Sequence, residues 1–158
     1  MLLGSFISSD SKLQGLDLGA GTGVLSLMLA QKNQKLQIDA VEIDANVANE
    51  CDLNFQNSKW RKNLKCITSD YLQFPFKKKY DLIFSNPPYF LNDLQSDRDE
   101  MSRAKHSDNE TVNRLFKLVN SILSNDGNFW IIIPHPNYNF FNEIAAENEL
   151  HPCELIHI

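Results

Sequence analysis

The chain has 158 residues, 42% hydrophobic and 22% charged, with three cysteines at positions 51, 66 and 153. That length fits one domain with a real core, the composition excludes a disordered or fibrous chain, and widely spaced, odd-numbered cysteines without a C-x-x-C pair argue against a disulfide framework or a zinc knuckle. Fifteen Lys and Arg against twenty Asp and Glu leave a net charge of −5, which by itself counts against a nucleic-acid binder.

The start Met1-Leu2-Leu3 leads straight into Gly4 and Ser5 with no basic n-region. Strongly apolar runs such as 129–133 are far shorter than the ~20 residues of a membrane helix. No secretory or membrane signal is evident, no metal is expected, and a reduced cytoplasmic setting is the natural expectation. In chain order, Gln14–Leu18 reads as a strand ending in glycines, and 22–31 as a helix through Val24, Leu25, Leu27, Met28 and Leu29. A second strand over 36–43 is followed by a helix near 46–57. Leu64–Thr68 and Tyr80–Ser85 read as the third and fourth strands. Val112, Leu115, Phe116, Val119 and Ile122 recur every three or four residues, which predicts a helix over 111–123 stopped by Asn125-Asp126-Gly127. A nearly continuous apolar strand over 128–133, a helix over 138–149 and one more strand over 153–158 complete the pattern. Strands alternating with helices, several of them apolar throughout, predict an α/β fold with a mostly parallel, doubly wound sheet covered on both faces. Residues 1–158 read as a single domain whose last strand is unfinished.

Charge is unevenly spread. From Cys51 to Tyr80 seven basic residues (Lys59, Arg61, Lys62, Lys65, Lys77, Lys78, Lys79) face two acidic ones, whereas after Lys117 there is no Lys or Arg and five acidic residues. The 77–79 lysines are expected to solvate the turn before the fourth strand. His135, between two prolines, reads as a loop residue, and His151 and His157 show no ligand spacing.

Two features point to a ligand. Asp17-Leu18-Gly19-Ala20-Gly21-Thr22-Gly23 closes the first strand and opens the first helix. Glycine there permits angles and a close approach that a Cβ would block, and the helix N-terminus suits an anion. Val41-Glu42-Ile43-Asp44 ends the second strand with a carboxylate able to accept hydrogen bonds from both hydroxyls of a ribose. These leave a nicotinamide dinucleotide and other nucleotide-like ligands open, although a dinucleotide favours G-x-G-x-x-G and this chain has G-x-G-x-G. The order Asp-Leu-Gly-Ala-Gly-Thr-Gly resembles motif I of class I S-adenosylmethionine-dependent methyltransferases. The resemblance implies a Rossmann-like methyltransferase sheet with S-adenosyl-L-methionine as cofactor. It also implies Asp17, Gly19, Ala20, Gly21 and Gly23 around the methionine end, Glu42 on the ribose, Ile43 on the adenine face, and Asp70 with Tyr71 at the adenine. Asp70 also has a plain reading as a turn-capping residue.

The fourth strand runs into Asn86-Pro87-Pro88-Tyr89-Phe90. Consecutive prolines hold the backbone extended and remove two donors, and the loop is expected beside the glycine turn at the topological switch point. An exocyclic amine on a planar base is a poor nucleophile because its lone pair is delocalised. Asn86 Oδ1 and the Pro87 carbonyl can each accept one of its N–H bonds and localise that lone pair, with the carbonyl fixed in advance by the Pro87-Pro88 pair. Tyr89 can stack on the ring. This tetrapeptide serves adenine, cytosine, guanine and glutamine nitrogens alike.

Met1–Phe6, 39–42, 57–60, 86–90 and Arg98 with 103–106 together resemble the bacterial tRNA1(Val) (adenine-37-N6)-methyltransferase family in scattered blocks over most of the chain, with Lys59 standing where the family pattern has proline. The resemblance implies transfer to the N6 amine of an anticodon-loop adenine in tRNA. Phe90, Arg98, Arg103 and Lys105 would lie near the substrate, in a stretch that otherwise reads as a solvated loop with mixed charges. It also implies family segments before residue 1 and after residue 158. A protein glutamine N5-methyltransferase, a cofactor-binding fragment without activity and a nicotinamide-dependent oxidoreductase are the alternatives.

Overall fold

A computed structural model describes residues 2–9, 11–87 and 98–157, with backbone alone over 98–108. In chain order its elements are α1 (Leu2–Phe6), β1 (Gln14–Leu18), α2 (Val24–Lys32), β2 (Gln37–Glu42), α3 (Ala45–Gln56), β3 (Leu64–Thr68), β4 (Tyr80–Ser85), α4 (Arg98–Ile122), β5 (Leu123–Ile131), a 3-10 turn (His135–Asn137) and α5 (Tyr138–Glu147). Every strand pairs in parallel, in the order β3-β2-β1-β4-β5. The chain winds outward from β1 through β2 to β3, then returns to add β4 and β5 on the other side. This is the doubly wound Rossmann-like sheet that the pattern predicts, and its switch point lies between the carboxyl ends of β1 and β4.

The chain divides into two units, Met1–Pro87 with Ile122–Ile132 and Pro88–Ser121 with Ile133–Ile158. In the first, Ile38, Ala40, Leu82 and Phe84 share one cluster with Leu29 and Ala30 of α2, Cys51 and Phe55 of α3, and Ile7. Leu16, Leu18, Val41 and Ile83, which alternate with those strand positions, are equally buried. Burial on both faces is why these strands read as apolar runs rather than as alternating patterns. Gly4 lets α1 lie against α2, since a Cβ there would stand 2.9 Å from Leu25 Cδ1.

The connections at the amino ends of the strands are tied to one another. Gln37 N–H donates to Leu13 O at 2.8 Å, and Asn63 Nδ2 donates to Gln34 O at 2.9 Å. The Asp81 carboxylate accepts from the Leu13 and Gln14 N–H groups at 3.1 and 3.0 Å. Partial burial would raise the Asp81 pKa, but those N–H groups, the Ser124 hydroxyl and nearby Lys12 hold it below the usual carboxylate range.

β5 departs from the sequence reading of 128–133. Tyr80 already pairs with Leu123, and the next pair is Leu82 with Asn128. The Asn125-Asp126-Gly127 turn therefore lies within a bulge of the strand instead of separating helix from strand. In the second unit, the rings of Phe116 on α4 and Phe141 on α5 lie 6.0 Å apart, and Asn148 Nδ2 donates to Asn113 Oδ1 at 3.1 Å. Here α4 begins at Arg98 instead of near 111. Its first turns carry Asp99 and Glu100, which suit a helix N-terminus, but no apolar period, so periodicity gives no sign of them. The expected strand over 153–158 is absent from the described residues: 151–157 forms no ladder, and 151–155 is exposed. An apolar run becomes a strand only where a neighbour supplies its hydrogen bonds.

Asp17 sits in the middle of this fold. Its side chain is 1% exposed and accepts a 2.7 Å hydrogen bond from Ser26 Oγ, tying β1 to α2. Burial pushes its pKa up to about 7; the Ser26 hydroxyl and N–H pull it down, and Glu42 adds to the rise. The folded state thus holds this proton more tightly than the unfolded chain, so stability drawn from it is full below about pH 4 and is lost as pH rises toward 7. Urea unfolding across that range should show the wild type losing on the order of 4 kcal/mol relative to Asp17→Asn. Parallel pH profiles for the two proteins would refute the assignment.

Candidate active site

Gly19, Gly21 and Gly23 all have positive φ, at 73°, 56° and 79°. Their surroundings differ. A Cβ on Gly19 or Gly21 would meet nothing within 4 Å, whereas one on Gly23 would stand 2.5 Å from Phe55 Cε1 and 2.7 Å from Cys51 Sγ. Gly23 is therefore required by the packing of α3 beneath the turn, and the first two glycines border open space. The turn is held from several directions. Gly19 and Ala20 N–H donate to Val41 O at 2.9 and 3.0 Å, and Asn54 Nδ2 donates to Thr22 O at 2.9 Å. Gly21 N–H donates to Glu42 Oε2 at 2.9 Å.

Glu42 links the turn to the end of β2. Its second oxygen accepts from Asp44 N–H at 3.0 Å, so each oxygen is fixed by one N–H and retains capacity for a further donor. The neighbouring acid is otherwise employed: Asp44 caps α3 through the N–H groups of Asn46 and Val47. Ile43, between them, is 68% exposed, the most exposed large apolar side chain described.

Glu42 is level with Thr68 of β3, and Ser69 N–H donates to Glu42 O at 2.9 Å. Asp70 follows directly. Its carboxylate accepts from Leu72 N–H at 2.9 Å and from Gln73 Nε2 at 2.7 Å, so its turn-capping reading holds in this structure, with lone pairs to spare. Burial raises the pKa of the half-buried Tyr71 hydroxyl, and Asp70 adds to the rise.

Across the switch point, Leu18 of β1 is level with Ser85 of β4, and Ser85 Oγ donates to Leu18 O at 2.7 Å. One residue further along each strand stand Gly19 and Asn86, on neighbouring strands about 4.8 Å apart. Asn86 is exposed and Pro87 buried. One sheet edge thus collects Gly19–Gly23, Glu42, Ile43, Asp70, Tyr71, Asn86 and Pro87. Asp17 lies beneath it, out of contact with solvent. Pro88, Tyr89 and Phe90 fall outside the described residues. Arg98, Arg103 and Lys105 fall on helical backbone in α4, where a loop is expected from the sequence, and their side chains are likewise outside the description.

Three supporting residues escape a motif reading: Ser26, Asn54 and Ser85. Asn54 had a signal, as a polar residue three places after Cys51 and next to Phe55 on the buried stripe of α3. Elsewhere, Lys78 does more than solvate its turn, pairing with Asp39 at 3.0 Å and donating to Gln14 Oε1 at 2.7 Å. His135 starts the 3-10 turn, its ring 5.4 Å from that of His157.

Residues 1–148 match the family model described as "Methyltransferase small domain". The tRNA1(Val) (adenine(37)-N6)-methyltransferase of Pedobacter heparinus is 40% identical over 158 residues, covering 100% of this chain and 68% of that protein. The protein of the same name from Aliivibrio fischeri is 38% identical over 151 residues, covering 96% of this chain and 64% of that one. The chain thus spans about two thirds of the length of these curated relatives. Among solved structures, a methyltransferase from Pyrococcus furiosus superposes with a TM-score of 0.68 at 17% identity, over 92% of this chain and 68% of that one, a likeness of fold. The chain belongs to the methyltransferase small domain family and, within it, to the bacterial tRNA1(Val) (adenine(37)-N6)-methyltransferase family.

Proposed function

We propose that this chain carries the catalytic core of an S-adenosylmethionine-dependent methyltransferase acting on the exocyclic N6 amine of an adenine in the anticodon loop of a tRNA, in the bacterial cytoplasm. The observation that carries the reading is the shared register of Leu18 and Ser85, which sets the glycine turn and Asn86 side by side. The substrate class comes from the relatives, whose names specify adenine 37 of tRNA1(Val).

The residues fit the cofactor. The space beside Gly19 and Gly21 is where a Cβ would intrude on a bound molecule, and an exposed apolar Ile43 offers a face for a purine ring. Glu42, oriented by two N–H groups, offers acceptors for a ribose diol. Asp70 and Tyr71 stand at the neighbouring strand end for the adenine, and Asp17 contributes from below by fixing the turn. S-adenosylmethionine, when bound, supplies a methyl group made electrophilic by its sulfonium sulfur.

On the substrate side, Asn86 Oδ1 and the Pro87 carbonyl accept the two N–H bonds of the target amine and turn its lone pair toward the methyl donor. The carbonyl acceptor belongs to the backbone that leaves β4 at Pro87, so it needs little rearrangement during reaction. Tyr89 stacks on the base, and Arg98, Arg103 and Lys105 meet phosphates. Phe90 completes the substrate side.

Labelled methyl transfer to total tRNA, followed by nucleoside mass analysis, should yield N6-methyladenosine. Label on a release-factor glutamine and none on tRNA would overturn the reading. Asn86→Ala should lower the transfer rate by roughly 100-fold or more while leaving cofactor affinity within about threefold. Equal losses in both would remove Asn86 from its role. Glu42→Ala should weaken cofactor binding by about tenfold or more in calorimetry, and an unchanged affinity would take Glu42 off the ribose.

A further inference from the structure

Within the first unit, the carboxyl edge of the sheet, where the reaction is placed, offers a polyanion no cation of its own. The connections that leave β1, β2 and β3 there carry Glu42, Asp44 and Asp70, and residues 19–23, 42–45 and 69–75 contain no Lys or Arg. The basic residues of the first unit gather at the opposite, amino edge. Lys12 precedes β1, Lys35 precedes β2, Lys59, Arg61 and Lys62 precede β3, and Lys77, Lys78 and Lys79 precede β4.

Some of these cations are internally committed. Lys12 donates to Asp126 O at 2.7 Å, Lys78 pairs with Asp39, and beside β1, β4 and β5 the acids Asp81 and Asp126 share a depression with Lys12 and Lys79. Lys35, Lys59, Arg61, Lys62 and Lys77 differ. All are exposed, and no carboxylate among the described residues pairs with them.

Four of these five share one rigid patch. Asn63 Nδ2 bridges to Gln34 O and Leu36 O at 2.9 and 3.4 Å, and Asn63 N–H closes onto Trp60 O at 2.8 Å. That joins the connection carrying Lys35 to the one carrying Lys59, Arg61 and Lys62. Trp60 itself packs against the core cluster, which anchors the stretch from which its charged neighbours emerge.

We propose that this patch, around Lys35, Lys59, Arg61 and Lys62, is a docking surface for the phosphate backbone of the tRNA, remote from the base that is modified. The inference rests on the proposed tRNA substrate and adds where the RNA is held. β2 has six residues from Gln37 to Glu42, so the patch lies about 20 Å from the ribose-binding carboxylate at ~3.3 Å per residue. A single nucleotide cannot reach both places, and a folded RNA with an arm beyond its anticodon loop can. Exposed cations on a fixed backbone bind phosphates without reading sequence, and they do so in a strongly salt-dependent way.

The test compares the full chain with the triple variant Lys35→Glu/Arg61→Glu/Lys62→Glu and the neutral variant Lys35→Gln/Arg61→Gln/Lys62→Gln. Probes are an unmodified valine tRNA transcript and its isolated anticodon stem-loop. Charge reversal should weaken transcript binding by roughly tenfold or more near 0.1 M salt and flatten its salt dependence by about two to three phosphate contacts. The neutral variant should lie between it and the wild type. Stem-loop and S-adenosylmethionine affinities should stay within about twofold. Equal loss for transcript and stem-loop, no loss for either, or a parallel loss of S-adenosylmethionine affinity would overturn the proposal, as would tighter binding to anionic phospholipid vesicles than to tRNA. Transcript binding that the variant loses, in a wild type that methylates no RNA, would support the docking surface while overturning the proposed reaction.

Discussion

The pairing of β1 with β4 is the constraint on which the site depends. Parallel strands keep a fixed register, and this pair sets Leu18 level with Ser85, so two connections far apart in sequence leave the sheet at one height. The buried Ser85 hydroxyl on Leu18 O locks that step directly. A slip of one residue would turn every side chain on one strand to the other face, pushing Asp17 or Ser85 into the place of a buried apolar neighbour. The hydrophobic core thus enforces the alignment of the glycine turn with Asn86, which gives the family motif its meaning.

Much of this was legible from residues alone. β1, β3 and β4 have the limits read from the sequence; β1 and β4 are buried almost throughout and leave a mostly apolar trace, whereas the edge strand β3 is partly exposed. The glycine turn at the end of β1 was legible, but its division of labour was not. That Gly23 serves the packing of α3 while Gly19 and Gly21 border open space depends on where Phe55 and Cys51 lie, and periodicity in α3 does not say which loop they meet. The start of α4 and the run after residue 150 failed for opposite reasons. One is a helix without an apolar stripe, and the other is an apolar run without a partner strand. At Asp70 the plain reading holds, as a turn cap for Leu72 and Gln73, and a carboxylate keeps further acceptor sites beyond those a turn consumes.

The net charge of −5 carries less information than its placement. Acidic groups gather at the strand ends that would face cofactor hydroxyls, where a carboxylate is the natural acceptor. In the first unit, lysines and arginines gather at the far edge, on connections cross-tied by Asn63 and Gln37. Such a division would keep Glu42 free of competing cations when a cofactor is bound. On the proposed reading, part of the long-range attraction for a polyanion comes from a surface that takes no part in the chemistry.

Glu42 gives the site a further property. Its carboxylate spans the turn after β1 and the start of α3, accepting one N–H from each. The group that would meet the ribose is thus already a strut within the fold itself. Its conformational entropy is lost when the chain folds and not when a nucleoside arrives, which favours binding without adding a contact. The same economy makes the strut hard to replace. Shortening it to aspartate would withdraw the acceptor from Gly21 and from a ribose in one step, so loop geometry and nucleoside recognition are bound to change together.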